Sequence, residues 1–392
     1  MFNDFLPPWI AKLEKSGMQK ALQTSDPDII SFSLGKPDND LLALLSRKAA
    51  YEDLFSPENL QYSSPSLKLK SHIVELMKEK QVFCKPEEIF LTTGAQQAMA
   101  LLTKLFVNEG GSILVDQLIY PGFIQAAQAV HANLVPVPVC FQKGSNVESL
   151  KNILKHKERP SLLYVISEGH NPLGVTLSKE QRIEITKLAQ DHQVPIIEDD
   201  AYGFLTYEKG DPPLKSYWKE GVFYIGSFSK ILAPSLRVGW IIASESTIEK
   251  LEILKEGSDI NTSTLSQKFI NTLFERDNLK EHISKLREGY KIKRDVMVDS
   301  LKRYIPEMAF CIPQSGFFIW GNLSCSVNTN RVFKLALEQK QGQVSFMPGS
   351  AFLIGERKDI QKCLRLSFSF CPLDLIESGV KRLAKAIYSE AK

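Results

Sequence analysis

No apolar run in this 392-residue chain approaches the roughly 18 residues a membrane-spanning helix needs. The opening stretch, MFNDFLPPWIAKLEK, carries an acid at Asp4 and a break at Pro7-Pro8 where a secretory signal would have a basic leader and an apolar stretch. The six cysteines (Cys84, Cys140, Cys311, Cys325, Cys363, Cys371) are scattered, and none forms a C-x-x-C pair. Neither a zinc knuckle nor a disulfide framework is indicated, and the expectation is a reduced, cytoplasmic compartment. Charge of one sign is also missing. Lys+Arg number 48 against 45 Asp+Glu, a net +3, with no dense basic block to attract a nucleic acid. With 22 Gly and 20 Pro, collagen-like and low-complexity readings fail. What is present is ordinary for a globular protein: 43% hydrophobic, 24% charged and 9% aromatic residues, in a length that suits two domains.

From residue 89 onward, short β-rich runs alternate with longer helical ones. The runs are IFLTT (89–93), SILVD (112–116), LVPVPV (134–139), LLYVIS (162–167), VPIIED (194–199), VFYIGS (222–227) and VGWIIAS (238–244). Most are continuously apolar, as strands covered on both faces are. The clearest intervening helix begins at Ser178, which has capping-box spacing to Gln181, and Ile185, Leu188 and Ala189 then mark its apolar face. This order predicts an α/β fold with a seven-stranded, mostly parallel sheet covered by helices. After residue 280 a long charged helix, roughly Leu286 to Tyr304, leads into MAFCI, GFFIW, VSFMP and LRLSFS, the texture of a smaller α+β domain. The expected division is 46–285 for the large domain, with 1–45 and 286–392 forming the small one.

In open α/β sheets ligands bind beyond the carboxyl ends of the strands, so the residues just after each run matter most. The first is followed by Thr93-Gly94-Ala95-Gln96-Gln97, a Gly turn opening a helix. Free N–H groups and the helix dipole there suit an anion, although an ordinary strand-to-helix turn reads the same way. The turn is neither a P-loop nor G-x-G-x-x-G, so nucleotide binding is unsupported. The fourth run is followed by Glu168-Gly169-His170-Asn171-Pro172-Leu173-Gly174, a turn signal that needs no function. The fifth ends in Glu198-Asp199-Asp200, acids that are costly in an apolar setting unless paired, or simply an exposed strand end. After the sixth come Ser227, Ser229, Lys230 and, seven residues on, Arg237, two hydroxyls and two cations that suit a phosphate. Ser227 to Lys230 also satisfies S-x-x-K, but the S-D-N and K-T-G of serine acyl-enzymes are absent.

Taken together, G-A-Q-Q, Y-P-G-F, N-P-x-G, D-x-x-Y, S-x-S-K and a late Arg in LRLSFS resemble the fold-type-I pyridoxal-phosphate enzymes of the class I/II aminotransferases. The texture is closest to the kynurenine/2-aminoadipate branch, which also supplies the effector half of MocR-type regulators. The spacing carries the resemblance: Asn171 to Asp199 is 28 residues, Asp199 to Lys230 is 31, and Gln96 to Tyr120 is 24. The resemblance implies pyridoxal 5'-phosphate as cofactor, with Lys230 forming the imine and moving the proton, and Asp199 against the pyridine nitrogen. Asn171 and Tyr202 would bond the ring's phenolic oxygen, and Tyr120 would stack on its face. Ala95, Gln96, Ser227, Ser229 and Arg237 would hold the phosphate, joined by Tyr62 from a neighbouring subunit of a homodimer. Arg365 would clamp the substrate α-carboxylate, with Asn171 and Gly35 beside it. Three stretches depart from the usual pattern: Ser63-Ser64-Pro65-Ser66-Leu67 after Tyr62, Ser315-Gly316 in place of two glycines, and Gln117-Leu118-Ile119 before the stacking tyrosine.

The implied activity is transfer of an amino group between an L-amino acid and a 2-oxo acid. Asp259-Ile260-Asn261-Thr262-Ser263 holds no arginine, which disfavours an aspartate-specific enzyme. Phe32, Phe123, Phe317 and Phe352 lie near motif positions and hint at an apolar side-chain pocket, although each also suits a core. Two other readings share the scaffold. One keeps the cofactor and changes the reaction, as in a C–S lyase, a cyclopropane-forming synthase or a decarboxylase. The other is a cofactor-binding regulator, disfavoured because the aminotransferase-like part begins within about 30 residues of Met1 and the charge is nearly neutral.

Overall fold

The computed structural model describes residues 29–38, 40–41, 63–156, 158–276, 279–324, 327–338 and 342–391. All seven expected strands form: β1 (Ile89–Thr92), β2 (Ser112–Asp116), β3 (Asn133–Val137), β4 (Leu162–Val165), β5 (Ile196–Asp199), β6 (Val222–Ser227) and β7 (Gly239–Ile242). They make one sheet in the order β1-β7-β6-β5-β4-β2-β3. Only β7 runs antiparallel, to both β1 and β6. Every residue of β1, β4, β5, β6 and β7 is buried, which is why these runs read as continuously apolar. Successive side chains feed opposite cores: Leu91 and Trp240 join one, Phe90 and Ile241 the other. Pro136, which cannot donate to a ladder, sits in the edge strand β3.

The helices that position the site are α1 (Leu67–Lys78), α2 (Ala95–Phe106), α3 (Pro121–Gln128), α4 (Val147–His156), α5 (Lys179–Asp191), α6 (Glu245–Asp259) and α7 (Thr264–Arg276). The capping box of α5 is present, with Ser178 accepting from the Gln181 amide and the Gln181 side chain accepting from Ser178. Ser66 caps α1 by accepting from the Leu69 amide, so the glycine-free stretch after Tyr62 turns directly into a helix. Helix α8 runs Leu279–Tyr304 and so starts a full two turns before the expected Leu286. Its buried His282, Ile283, Leu286 and Tyr290 recur every three to four residues; the interspersed Lys280, Glu281 and Lys285 face solvent and mask that period.

Beyond α8, four antiparallel strands, β8 (Met308–Phe310), β9 (Phe318–Leu323), β10 (Met347–Pro348) and β11 (Cys363–Ser367), line up as β8-β9-β11-β10. Helices α9 (Thr329–Glu338) and α10 (Leu373–Glu390) accompany them. Ile30–Ser31 pairs in parallel with Val344–Ser345, tying the described N-terminal segment to this C-terminal part. A buried cluster completes the tie. Lys293 of α8 donates to Asp38, to the Ser369 carbonyl (3.0 Å) and to the Cys371 carbonyl (2.8 Å), and the Asp38 amide donates to the Tyr290 hydroxyl (3.1 Å).

Candidate active site

The sheet order reverses at β2, which lies between β3 and β4, and the crevice beyond the carboxyl ends of the strands opens there. It holds a cavity of about 170 Å³. At one end is the turn after β1. Gly94, at φ +78°, caps α2, whose first residues Ala95 and Gln96 line the cavity with their amides at the positive helix end. Thr93 donates to Asp259 (2.7 Å), and Asp259 is held by Lys255 (2.7 Å), so α6 anchors the turn. Arg237 adopts a left-handed φ of +51° and donates to the Thr93 carbonyl (3.3 Å), which brings its guanidinium over Gly94. Ser227 and Ser229 line the same end, with Ser227 Oγ donating to Ser229 Oγ at 3.0 Å. Hydroxyls, helix amides and a guanidinium converge as a phosphate site requires.

None of the three acids at the end of β5 is an exposed strand terminus; all are buried. Glu198 accepts from Ser167 (2.6 Å) and from the amides of Leu214 and Lys215 (2.8 and 2.9 Å). Asp200 accepts from Lys80 (2.6 Å) and Tyr224 (2.7 Å). Asp199 faces the cavity, where its Oδ2 accepts from the Tyr164 hydroxyl (2.7 Å) and its buried Oδ1 has no partner. Burial pushes its carboxyl up to about 6, with the Tyr164 bond opposing that rise and the Asp200 charge adding to it.

Lys230, just past β6, lines the cavity with Asp199 and donates to the Gly35 carbonyl (2.9 Å). Burial, then the nearby Arg237 and Arg365 charges, lower its ammonium to about 8, so a neutral amine is accessible near physiological pH. Tyr120 caps α3 and Gln96 donates to the Gly122 carbonyl (2.6 Å), fastening the tyrosine's turn to α2. Burial raises the Tyr120 hydroxyl to about 12 and the Tyr202 hydroxyl further still. Arg365, on β11, is 5% exposed. It donates to Asn171 Oδ1 (2.7 Å) and to the Ser33 carbonyl, lies 4.2 Å from the Phe318 ring and 4.8 Å from that of Phe352, and leaves its Nε without a partner. Burial lowers its guanidinium pKa to about 10.

Twelve of the expected site residues therefore line one cavity: Gly35, Ala95, Gln96, Tyr120, Asn171, Asp199, Tyr202, Ser227, Ser229, Lys230, Arg237 and Arg365. Tyr62 lies outside the described residues. Phe32, Phe123, Phe317 and Phe352 are fully buried core residues, and the phenylalanine lining the cavity is Phe318. Sequence reasoning passed over Tyr164 and Phe318; both sat inside strand-like runs (LLYVIS, GFFIW), where an aromatic reads as filler. Among the described residues no cluster of His, Cys, Asp and Glu could hold a metal ion, and no helix is long and apolar enough to cross a membrane.

Residues 27–383 match the family model "Aminotransferase class I and II". An aromatic-amino-acid aminotransferase of Thermococcus litoralis is 33% identical, over 95% of this chain and 91% of its own. The α-aminoadipate aminotransferase LysN of Thermus thermophilus, solved with N-(5'-phosphopyridoxyl)-L-leucine, superimposes with a TM-score of 0.89 at 29% identity, over 99% of this chain and 98% of its own. An uncharacterized HTH-type transcriptional regulator of Bacillus subtilis, YisV, is 31% identical over 98% of this chain and 79% of its own length. The chain belongs to the class I and II aminotransferases and is a pyridoxal-phosphate-dependent enzyme of that family.

Proposed function

We propose that Lys230 holds the cofactor and moves the reaction's proton, opposite Asp199, in an enzyme passing an amino group from an L-amino acid to a 2-oxo acid. The observation that carries this reading is the pair itself: an enclosed lysine of lowered basicity and a buried acid with one unpartnered oxygen, facing a single cavity. The residues present fit pyridoxal 5'-phosphate. The α2 amides of Ala95 and Gln96, with Ser227, Ser229 and Arg237, suit its phosphate; the unpartnered Asp199 Oδ1 suits its ring nitrogen; Tyr120 suits its face; Asn171 and Tyr202 suit its phenolic oxygen. When bound, the cofactor supplies the electron sink that makes the substrate Cα–H acidic. The rest falls to the chain. Arg365, with its free Nε–H, orients the substrate α-carboxylate, and Lys230 as a neutral amine takes and returns the proton. Borohydride should trap cofactor on wild-type protein and not on Lys230→Ala; a trapped adduct on that variant overturns the assignment.

For the donor we favour an apolar or aromatic side chain with glutamate and 2-oxoglutarate as the exchange pair. Met99, Ile166 and Phe318 supply apolar wall, and the relatives act on aromatic amino acids and 2-aminoadipate, as their names state. A donor-by-acceptor screen tests this, and release of pyruvate and ammonia from cystathionine without any oxo-acid requirement would favour a lyase instead. We further propose a homodimer in which Tyr62 completes the neighbour's phosphate site, a domain division at 46–285 against 1–45 plus 286–392, and a cytoplasmic location. Sedimentation tests the first.

A further inference from the structure

Asp199 and Asp200 stand back to back at the end of β5, and each is served by one tyrosine from a flanking strand. Tyr224 on β6 donates to Asp200, which Lys80 also neutralises; Tyr164 on β4 donates to Asp199, which has no such cation bonded to it. Tyr164 is paired with Ile197, two residues before Asp199, so both side chains leave the same face of the sheet. The Phe123 ring stacks on Tyr164 at 3.8 Å between centroids and 17° between planes, fixing where the hydroxyl points. One carboxylate oxygen is thereby pinned from behind and the other is left free at the cavity wall.

We propose that Tyr164 is a positioning residue: its hydroxyl locks the Asp199 carboxylate with Oδ1 toward the cofactor ring nitrogen, and Phe123 holds Tyr164 in place. This inference rests on the assignment of Asp199 to that nitrogen. A buried tyrosine hydroxyl commonly finds some acceptor, but this one takes the only carboxylate that faces the cavity among the described residues. Burial and the Asp199 charge push the Tyr164 pKa well up, so it stays protonated and a donor throughout the working range. Without the hydroxyl, Oδ2 loses its side-chain donor, and the carboxylate is freer to rotate or to take a proton.

The test compares binding of pyridoxal 5'-phosphate with that of its 1-deaza analogue, in which CH replaces the ring nitrogen, to apoprotein by fluorescence titration. Wild type should prefer the natural cofactor. Tyr164→Phe should lose about tenfold of that preference, the scale of a hydrogen bond to a charged group, while binding the deaza analogue as wild type does. Site-specific 3-fluorotyrosine at 164, a stronger donor of nearly the same shape, should leave the preference at or above the wild-type value. Equal weakening of both ligands in Tyr164→Phe, or an unchanged preference, overturns the proposal. Asp199→Ala separates the two readings: if it keeps the wild-type preference, the Asp199 assignment itself is wrong; if it loses the preference while Tyr164→Phe keeps it, only the role of Tyr164 is wrong.

Discussion

Asp199 and Lys230 are poised by the same force acting on opposite charges. Desolvation raises the folded carboxyl from 3.8 to about 6 and lowers the folded ammonium from 10.5 to about 8. For Asp199 the folded state binds more protons than the unfolded one between those values, so stability present below about 3.8 is lost as pH rises through about 6. For Lys230 the unfolded state binds more protons between about 8 and 10.5, so the apoprotein regains stability across that window. Asp199→Asn should therefore raise the melting temperature of the apoprotein at pH 7.5 by a few degrees, a penalty of roughly 2–3 kcal/mol relieved. The two melting curves should converge near pH 4, and a constant difference at both pH values would refute the linkage. Arg365→Ala should raise the donor KM at least tenfold with little change in fold, and Arg365→Lys should not rescue it, because a lysine cannot offer a two-pronged contact. An unaltered KM for every α-amino acid would reject its role.

Turns and helix ends carry the next layer of constraint. Gly174 closes the Asn171 loop at φ +69°, and a Cβ there would stand 2.1 Å from the Phe318 carbonyl oxygen on β9. Gly174→Ala should cost at least about 2 kcal/mol by urea unfolding, because it combines left-handed strain with a backbone clash. Gly94 differs. Its added Cβ would lie 2.5 Å from the Arg237 guanidinium, a movable side-chain end at the proposed phosphate site. Gly94→Ala should weaken cofactor binding, read by fluorescence titration, by a larger factor than it lowers stability. These elements were open to sequence reading because their signals are local: the Ser178–Gln181 box is a spacing of three, and Gly94 follows directly on an apolar run.

Across the molecule, the cavity takes residues from both sheets. Asp199 and Ser227 come from the seven-stranded sheet and Lys230 from the turn just past it, Phe318 and Arg365 from the four-stranded one, and Gly35 from the N-terminal segment. Their relative placement depends on ties such as Lys293–Asp38, Arg294 to the Pro313 carbonyl (2.9 Å) and Arg287 to the Phe204 carbonyl (2.8 Å), all reaching out from α8. Lys293→Met leaves Asp38 buried without its ion partner and should destabilise by about 3–5 kcal/mol. Because Asp38 follows Gly35 closely, the same variant should raise the donor KM in the protein that still folds.

Residue order alone was enough for whatever depends on near neighbours. Seven apolar runs gave seven strands, and the positions just past them gave most of the cavity, since a parallel sheet puts its carboxyl ends on one edge whatever the side chains are. The resemblance then supplied the roles. Packing decided the rest. Tyr164 meets Asp199 across 35 residues of chain, and Asp38 meets Lys293 across 255, contacts that no local period encodes. Whether the acids of β5 would be exposed or buried was likewise undetermined until Lys80, Tyr164, Tyr224 and the amides after Pro213 came to meet them. A buried charge is tolerable only with partners, and those partners are brought by the fold.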